Sequence, residues 1–198
     1  MTKIVQPSVD PFYFHYPSGA TLVTSHAGGR SNLMAVAWHV AISRVPPYYA
    51  VSISSKRFTH ELIVESGEFT VNFVPWEERE LVAKVAACSG RDVDKFAAFQ
   101  IETEAGSQVK APVLKAAFAA YECRVAGHYP YGDHDLFVAE VVAVQWERSA
   151  FTDDGRLDLE SVSPVSYMGE DRYVTAAQEV YLDRGALVGE ALEIARRR

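Results

Sequence analysis

The sequence is poor in the features that define several common protein classes. Among 198 residues there are only two cysteines, Cys88 and Cys123. Two cannot build a disulfide framework, and they show no Cys-x-x-Cys spacing. Basic residues are outnumbered, with 19 Lys and Arg against 26 Asp and Glu and a net charge of −7. That balance excludes the broad basic face that nucleic acid or anionic lipid demands. It leaves room for one local basic pocket serving a small anion. Long apolar runs are missing too. The longest stretch free of Asp, Glu, Lys and Arg runs from Pro11 to Gly29 and contains two prolines and three glycines, so it is no membrane span. Met1 to Pro7 has no apolar signal-peptide core. The expectation is a soluble, cytoplasmic protein that engages neither nucleic acid nor membrane.

Also absent are G-x-G-x-x-G after a strand, G-x-x-x-x-G-K-[ST] and G-x-S-x-G, which argues against a Rossmann dinucleotide site, a P-loop and a nucleophile elbow. Gly28-Gly29-Arg30-Ser31 lacks the lysine and the following helix of a phosphate loop and is read as a hairpin turn.

What is present is an ordinary globular composition, 48% hydrophobic and 23% charged, in a chain long enough to bury a full core. No repeat or linker divides it, so residues 1–198 are read as one domain with a C-terminal extension. Short apolar runs recur between turn signals: Ala20–Thr24, Leu33–Ile42, Tyr48–Ser54, Phe69–Val74, Ala117–Gly127 and Leu136–Trp146. Phe69, Val71 and Phe73 alternate onto one face. Leu136–Trp146 is apolar on both faces except for Glu140 and Gln145, the pattern of a strand covered on both sides. Six such strands suggest a closed or nearly closed barrel. A short helix is predicted over His60–Ser66, capped by Thr59 and ended by Gly67. A second is predicted over Glu77–Ala87, and a third near the end over Ala186–Arg197. The fold class is α+β, strand-dominated.

Two segments carry chemistry. In Ser52-Ile53-Ser54-Ser55-Lys56-Arg57-Phe58-Thr59-His60 a strand ends, hydroxyls and two cations follow, and a helix begins, a combination suited to a phosphate dianion. Ser89-Gly90-Arg91-Asp92-Val93-Asp94-Lys95-Phe96 adds a Gly-bearing loop with further cations. A metal site is not expected: His128, Asp133, His134 and Asp135 match no common zinc spacing, and no third histidine lies nearby in sequence. Cys88 closes a helix rather than opening one, so the helix dipole opposes its thiolate.

In order along the chain, Gly29–Trp38, Arg44-Val45-Pro46-Pro47, Ser52–Thr59, Glu68–Asn72, Ser89-Gly90 with Asp94-Lys95-Phe96, and Gly132-Asp133-His134 followed by Leu136–Val141 resemble the flavin reductase-like family of FMN-binding split β-barrels, which includes flavoredoxins and the reductase components of two-component monooxygenases. The resemblance covers roughly residues 17–146, making 147–198 the extension; Ala139 stands where the family has a glycine. Later, Pro164–Gly169 and Arg172-Tyr173 resemble the family's tyrosine-bearing strand.

The resemblance implies FMN bound at a homodimer interface. Its phosphate would be held by Ser54, Arg57, Thr59 and Lys95 within segments that also contain Ser52 and Ser89. Main-chain groups of Ala35, Val36, Ala37 and Trp38 would meet the isoalloxazine, Asn32 would fix the turn, and His134 would lie near the nicotinamide of NADH or NADPH. Three functions stay open at this point. The first is an NAD(P)H:flavin reductase, with or without a monooxygenase partner. The second is an FMN electron carrier reduced by a protein partner, and the third is a non-catalytic barrel for another phosphorylated ligand.

Overall fold

The computed structural model describes residues 3–6, 12–176, 178 and 179. Its strands are β1 (Ser18–Gly19), β2 (Thr21–Ala27), β3 (Arg30–Val36), β4 (His39–Arg44), β5 (Pro47–Ile53), β6 (Glu68–Phe73), β7 (Thr103–Glu104), β8 (Val113–Leu114), β9 (Ala119–Tyr131), β10 (His134–Trp146), β11 (Val165–Gly169) and β12 (Arg172–Thr175). Three helices join them: α1 (Phe58–Ser66), α2 (Arg79–Ala87) and α3 (Lys95–Ala98). Seven strands form one antiparallel sheet in the order β3-β2-β6-β9-β10-β5-β4, and β1, β11 and β12 form a smaller one. The large sheet curls until Ser52 N–H, in β5, donates to Trp38 O just past β3, at 2.9 Å. Beyond that contact β3 and β4 are the two ends of the sheet, so the barrel is split along them.

The core follows from the alternation. Val23, Val51, Ile53, Phe69, Val71 and Phe137 fill the barrel. Leu22, Leu33, Val82, Val85, Leu114 and Val165 form a second layer against α2. Each fully buried aliphatic or aromatic side chain here contributes about 1.5–3 kcal/mol. Phe69 and Val71 sit on the barrel face as predicted, yet Thr70 and Asn72 on the other face of β6 are equally enclosed. They bind the segment that covers them: Thr70 Oγ1 donates to Ala111 O at 3.1 Å, and Asn72 Oδ1 accepts from Leu114 N at 2.9 Å. Glu122 on β9 does the same with a charge. Fully buried, it accepts from Ser107 N and Oγ, Gln108 N, Val109 N and Gln145 Nε2 at 2.6–3.1 Å.

Several element boundaries differ from expectation for identifiable reasons. The Leu33–Ile42 run is two strands, because Ala37 O and Trp38 O bond to Ser18 Oγ and Ser52 N instead of a ladder. The hairpin turn between β2 and β3 is formed by Gly28 and Gly29 at φ +55° and +74°, values that disfavour side-chain-bearing residues. Helix α1 starts at Phe58 with extended Arg57 as its cap; Thr59 is inside the first turn, its hydroxyl engaged by Asn32. Glu77 and Glu78 belong to a 3-10 turn, Trp76–Glu78, that precedes α2. The unpredicted α3 is one turn long, too short for periodicity, and is nucleated by Asp94 Oδ1 accepting from Phe96 N and Ala97 N. On β10 the expected double covering fails. Val144 and Trp146 are each 51% exposed, Trp146 being covered only in part by the Phe151 ring, which stands edge-on to it at 5.5 Å. The helix predicted over Ala186–Arg197 lies outside the described residues. No helix among the described residues is long and apolar enough to cross a membrane.

Candidate functional site

Where β3 leaves the sheet unpaired, two adjoining cavities of about 300 and 340 Å³ follow its edge, sharing Met34, Ala35, Arg57 and Ala86 as walls. Both volumes lie at the lower end of the range typical of ligand sites. A larger hollow of about 800 Å³ lies between α2 and residues 98–102, but Glu77, Glu78 and Glu80 give it an acidic wall and it holds none of the predicted site residues.

The edge of β3 offers backbone groups to the cavities. Each of its residues stands opposite one of β2, as Ala35 does opposite Leu22. Leu33 O points the other way, to Lys95 Nζ at 3.0 Å. In an antiparallel ladder every second residue points both its N–H and C=O to the same side, so Ala35 presents its pair in the direction of Leu33 O, into the groove.

One end of the groove is cationic. Lys95 is only 4% exposed, and its ammonium also donates to Val85 O at 2.8 Å. Burial pushes its pKa down, and the neighbouring Arg57 charge pushes the same way. Among the described residues no carboxylate forms an ion pair with Lys95, Lys56 or Arg57. A buried charge left this way is costly without an anion, and one of the three ammonium protons remains after the two carbonyls are served. Arg91, beside them, donates to Lys56 O and pairs with Glu61. Asn32 Nδ2 donates to Thr59 Oγ1 at 2.8 Å. Gly90 packs so tightly on the Asn32 amide that a Cβ there would collide with Oδ1. The first turn of α1 adds its N-terminal N–H groups and the positive end of its dipole.

The other end is aromatic. The His134 ring lies 4.7 Å from that of Trp38, tilted by 47°. Its Nδ1 is 2.9 Å from Asp133 Oδ1, and this hydrogen bond, reinforced by the histidine's charge, holds the Asp133 carboxyl below the usual range. Trp38 Nε1 donates to Tyr16 OH at 2.9 Å. Tyr167 and Tyr173 close the wall, with ring centroids 5.3 Å apart.

All the predicted residues line one cavity or the other. Ala35, Val36, Ala37, Trp38, Ser52, Ser54, Arg57 and His134 surround the aromatic part, and Asn32, Thr59, Ser89 and Lys95 the cationic part. Arg57 reaches both. Lys95 differs in manner from the expectation, since two of its protons tie β3 to α2. Sequence reasoning missed Tyr16, Val82, Ala86 and Asp171. Val82 is indistinguishable in pattern from core stripe, and Tyr16 has no local motif. The buried thiol of Cys123, pushed up to about 12 by burial and the Glu122 charge, is chemically silent. A partly aromatic cavity joined to a cation-rich one suits a heterocycle carrying a phosphate.

Comparison with known proteins agrees with this geometry. The Flavin reductase like domain matches residues 13–173. An FMN-binding protein from Thermus thermophilus, solved with bound 1-cyclohex-2-enone, superposes with a TM-score of 0.82 at 33% identity, covering 92% of this chain and 99% of that one. Flavoredoxin from Methanosarcina acetivorans superposes at 0.83 with 26% identity, covering 93% and 100%. The reductase component of a 4-nitrophenol 4-monooxygenase/4-nitrocatechol 2-monooxygenase from Rhodococcus opacus is 31% identical over 66% of this chain and 67% of its own.

Proposed function

Because the chain belongs to the flavin reductase-like family, we propose that its groove holds FMN and that the protein is an NAD(P)H:flavin oxidoreductase. The observation that carries this is the buried, carboxylate-free Lys95 ammonium at one end of a groove whose other end is a Trp38–His134 aromatic slot. When bound, FMN would supply the redox chemistry, a two-electron relay between a nicotinamide hydride donor and an acceptor. The chain's own part is binding and orientation. Lys95, Arg57, Lys56 and the start of α1 neutralise the phosphate. Asn32 holds Thr59, and Gly90 admits the Asn32 amide. The outward backbone groups of Ala35 serve the heterocycle's polar edge. His134, positioned by Asp133, meets the nicotinamide beside Trp38, while Tyr167 and Tyr173 limit water at the reacting end.

The likeness to a monooxygenase reductase component supports a role feeding reduced flavin to an oxygenase partner. Val40 and Ile42 on β4 and Val144 and Trp146 on β10 are half exposed, which supports a homodimer closing over the split barrel. Its two free cysteines suit the cytoplasm. Steady-state oxidation of NADH and NADPH, followed at 340 nm with and without added FMN, tests the activity. Turnover that requires FMN is expected; no FMN-dependent oxidation with either nucleotide refutes it. A second reading, an FMN electron carrier, is favoured by the likeness to flavoredoxin and predicts bound FMN that neither nucleotide reduces.

A further inference from the structure

Three residues, two from the β9–β10 hairpin and one from α1, meet on the side of β10 away from His134. They are His60 of α1, His128 of β9 and Asp135 of β10. Successive side chains of a strand face opposite ways, so Asp135 shares its face with Phe137 and turns from the groove that His134 lines. His60 Nε2 lies 2.7 Å and His128 Nε2 2.6 Å from the same carboxylate oxygen, Asp135 Oδ2, and the three ligand atoms fall within 4.8 Å of one another. Both rings are fixed by Phe137: His128 stacks on it at 4.5 Å and 16°, and His60 meets it edge-on at 5.2 Å. The His60 and Asp135 side chains are 11% and 15% exposed, that of His128 37%. The cluster is therefore enclosed on two sides and open on one.

Two imidazole nitrogens and a carboxylate oxygen converging from rigid elements form a donor set for first-row divalent ions. An ion about 2.0–2.2 Å from each atom requires the donors to stand about 3.0–3.5 Å apart, so Asp135 Oδ2, at 2.7 and 2.6 Å from the two nitrogens, has to withdraw from both. Its Oδ1 accepts no hydrogen bond among the described residues, which leaves the carboxylate free to turn. We propose that His60, His128 and Asp135 form a binding site for a divalent transition-metal ion, completed by solvent on the open side of His128 and separate from the groove.

Calorimetric titration of ZnCl2 into untagged, EDTA-treated and dialysed protein tests this. One Zn2+ per chain is expected, with affinity falling at least about 10-fold in His128→Gln and in Asp135→Asn and unchanged in His26→Gln, whose ring bonds Ser31 instead. Circular dichroism establishes that each variant is folded. A Zn-edge anomalous difference map from crystals of the unsubstituted protein soaked in ZnCl2 gives a second readout independent of the variants, with a peak within about 2.3 Å of all three donor atoms. Absence of one-to-one binding, an isotherm identical in the folded cluster variants, or an anomalous map without that peak overturns the proposal and leaves Asp135 as a hydrogen-bonded staple between α1 and the β9–β10 hairpin.

Discussion

Replacing Arg57 by alanine separates phosphate recognition from heterocycle recognition. Arg57 walls both cavities and caps α1 through its backbone alone. Its N–H bond to Ser54 O, at 2.9 Å, survives the substitution. No side-chain hydrogen bond of Arg57 is needed by the described fold, so the variant is expected to fold normally. What it loses is a charged partner for the phosphate, worth about 1.5–3 kcal/mol, or about 10- to 150-fold in affinity. Lys56 and Lys95 remain, which keeps the loss from being total. FMN and riboflavin share the ring and differ in the phosphate, so quenching of flavin fluorescence is read for both. The Kd for FMN should rise by one to two orders of magnitude, and that for riboflavin by less than about twofold. The FMN penalty should also shrink at high salt, as expected for charge pairing. An equal loss for the two flavins, or no loss for FMN, would falsify the assignment of the cationic cavity to phosphate.

Other consequences follow from the same geometry. Burial alone would raise the Glu122 pKa, but hydrogen bonds from Gln145, Gln108 and Ser107 outweigh it and hold the carboxyl at about 2 instead of 4.5. A lowered folded pKa means stability present above the unfolded value and lost as pH falls. On the order of 3 kcal/mol should disappear between about pH 4.5 and 2, read as a falling urea midpoint. Glu122→Gln should lower the midpoint at pH 7 and flatten that pH dependence; an unchanged profile contradicts the role. Gly90→Ala places a methyl against Asn32 Oδ1, so it should lower Tm, with an overpacking cost of about 1–3 kcal/mol, and weaken FMN binding. Unchanged Tm and FMN affinity would show that this approach is not needed. For His134→Ala, FMN should remain bound while reduction by the nicotinamide slows; reduction at the unsubstituted rate removes His134 from the nicotinamide site.

The barrel was legible because its strands are apolar runs bounded by turn signals such as Gly28-Gly29, Pro46-Pro47, Gly67 and Gly132. Part of the cationic cavity's lining was legible because Lys56, Arg57 and Thr59 stand together at a helix start; Ser54, expected beside them at the phosphate, lines the aromatic cavity instead, as Ser52 does. What escaped did so for physical reasons. The break at Ala37–Trp38 is made by hydrogen bonds to Ser18 and Ser52, so nothing local marks it. Thr70 and Asn72 carry no local sign of burial; the segment holding Ala111 and Leu114 covers them. Nothing local marks Lys95 as buried; the approach of Leu33 and Val85 encloses it. In the His60–His128–Asp135 cluster, His128 and Asp135 lie near each other in sequence, but no spacing links them to His60 of α1.

Anaerobic stopped-flow absorbance at 450 nm, mixing FMN-loaded protein with NADH and separately with NADPH, tests the central claim most directly. The account predicts a saturable, single-turnover loss of flavin absorbance with at least one nucleotide, slowed in His134→Ala. FMN that stays oxidised with both nucleotides in excess would contradict it.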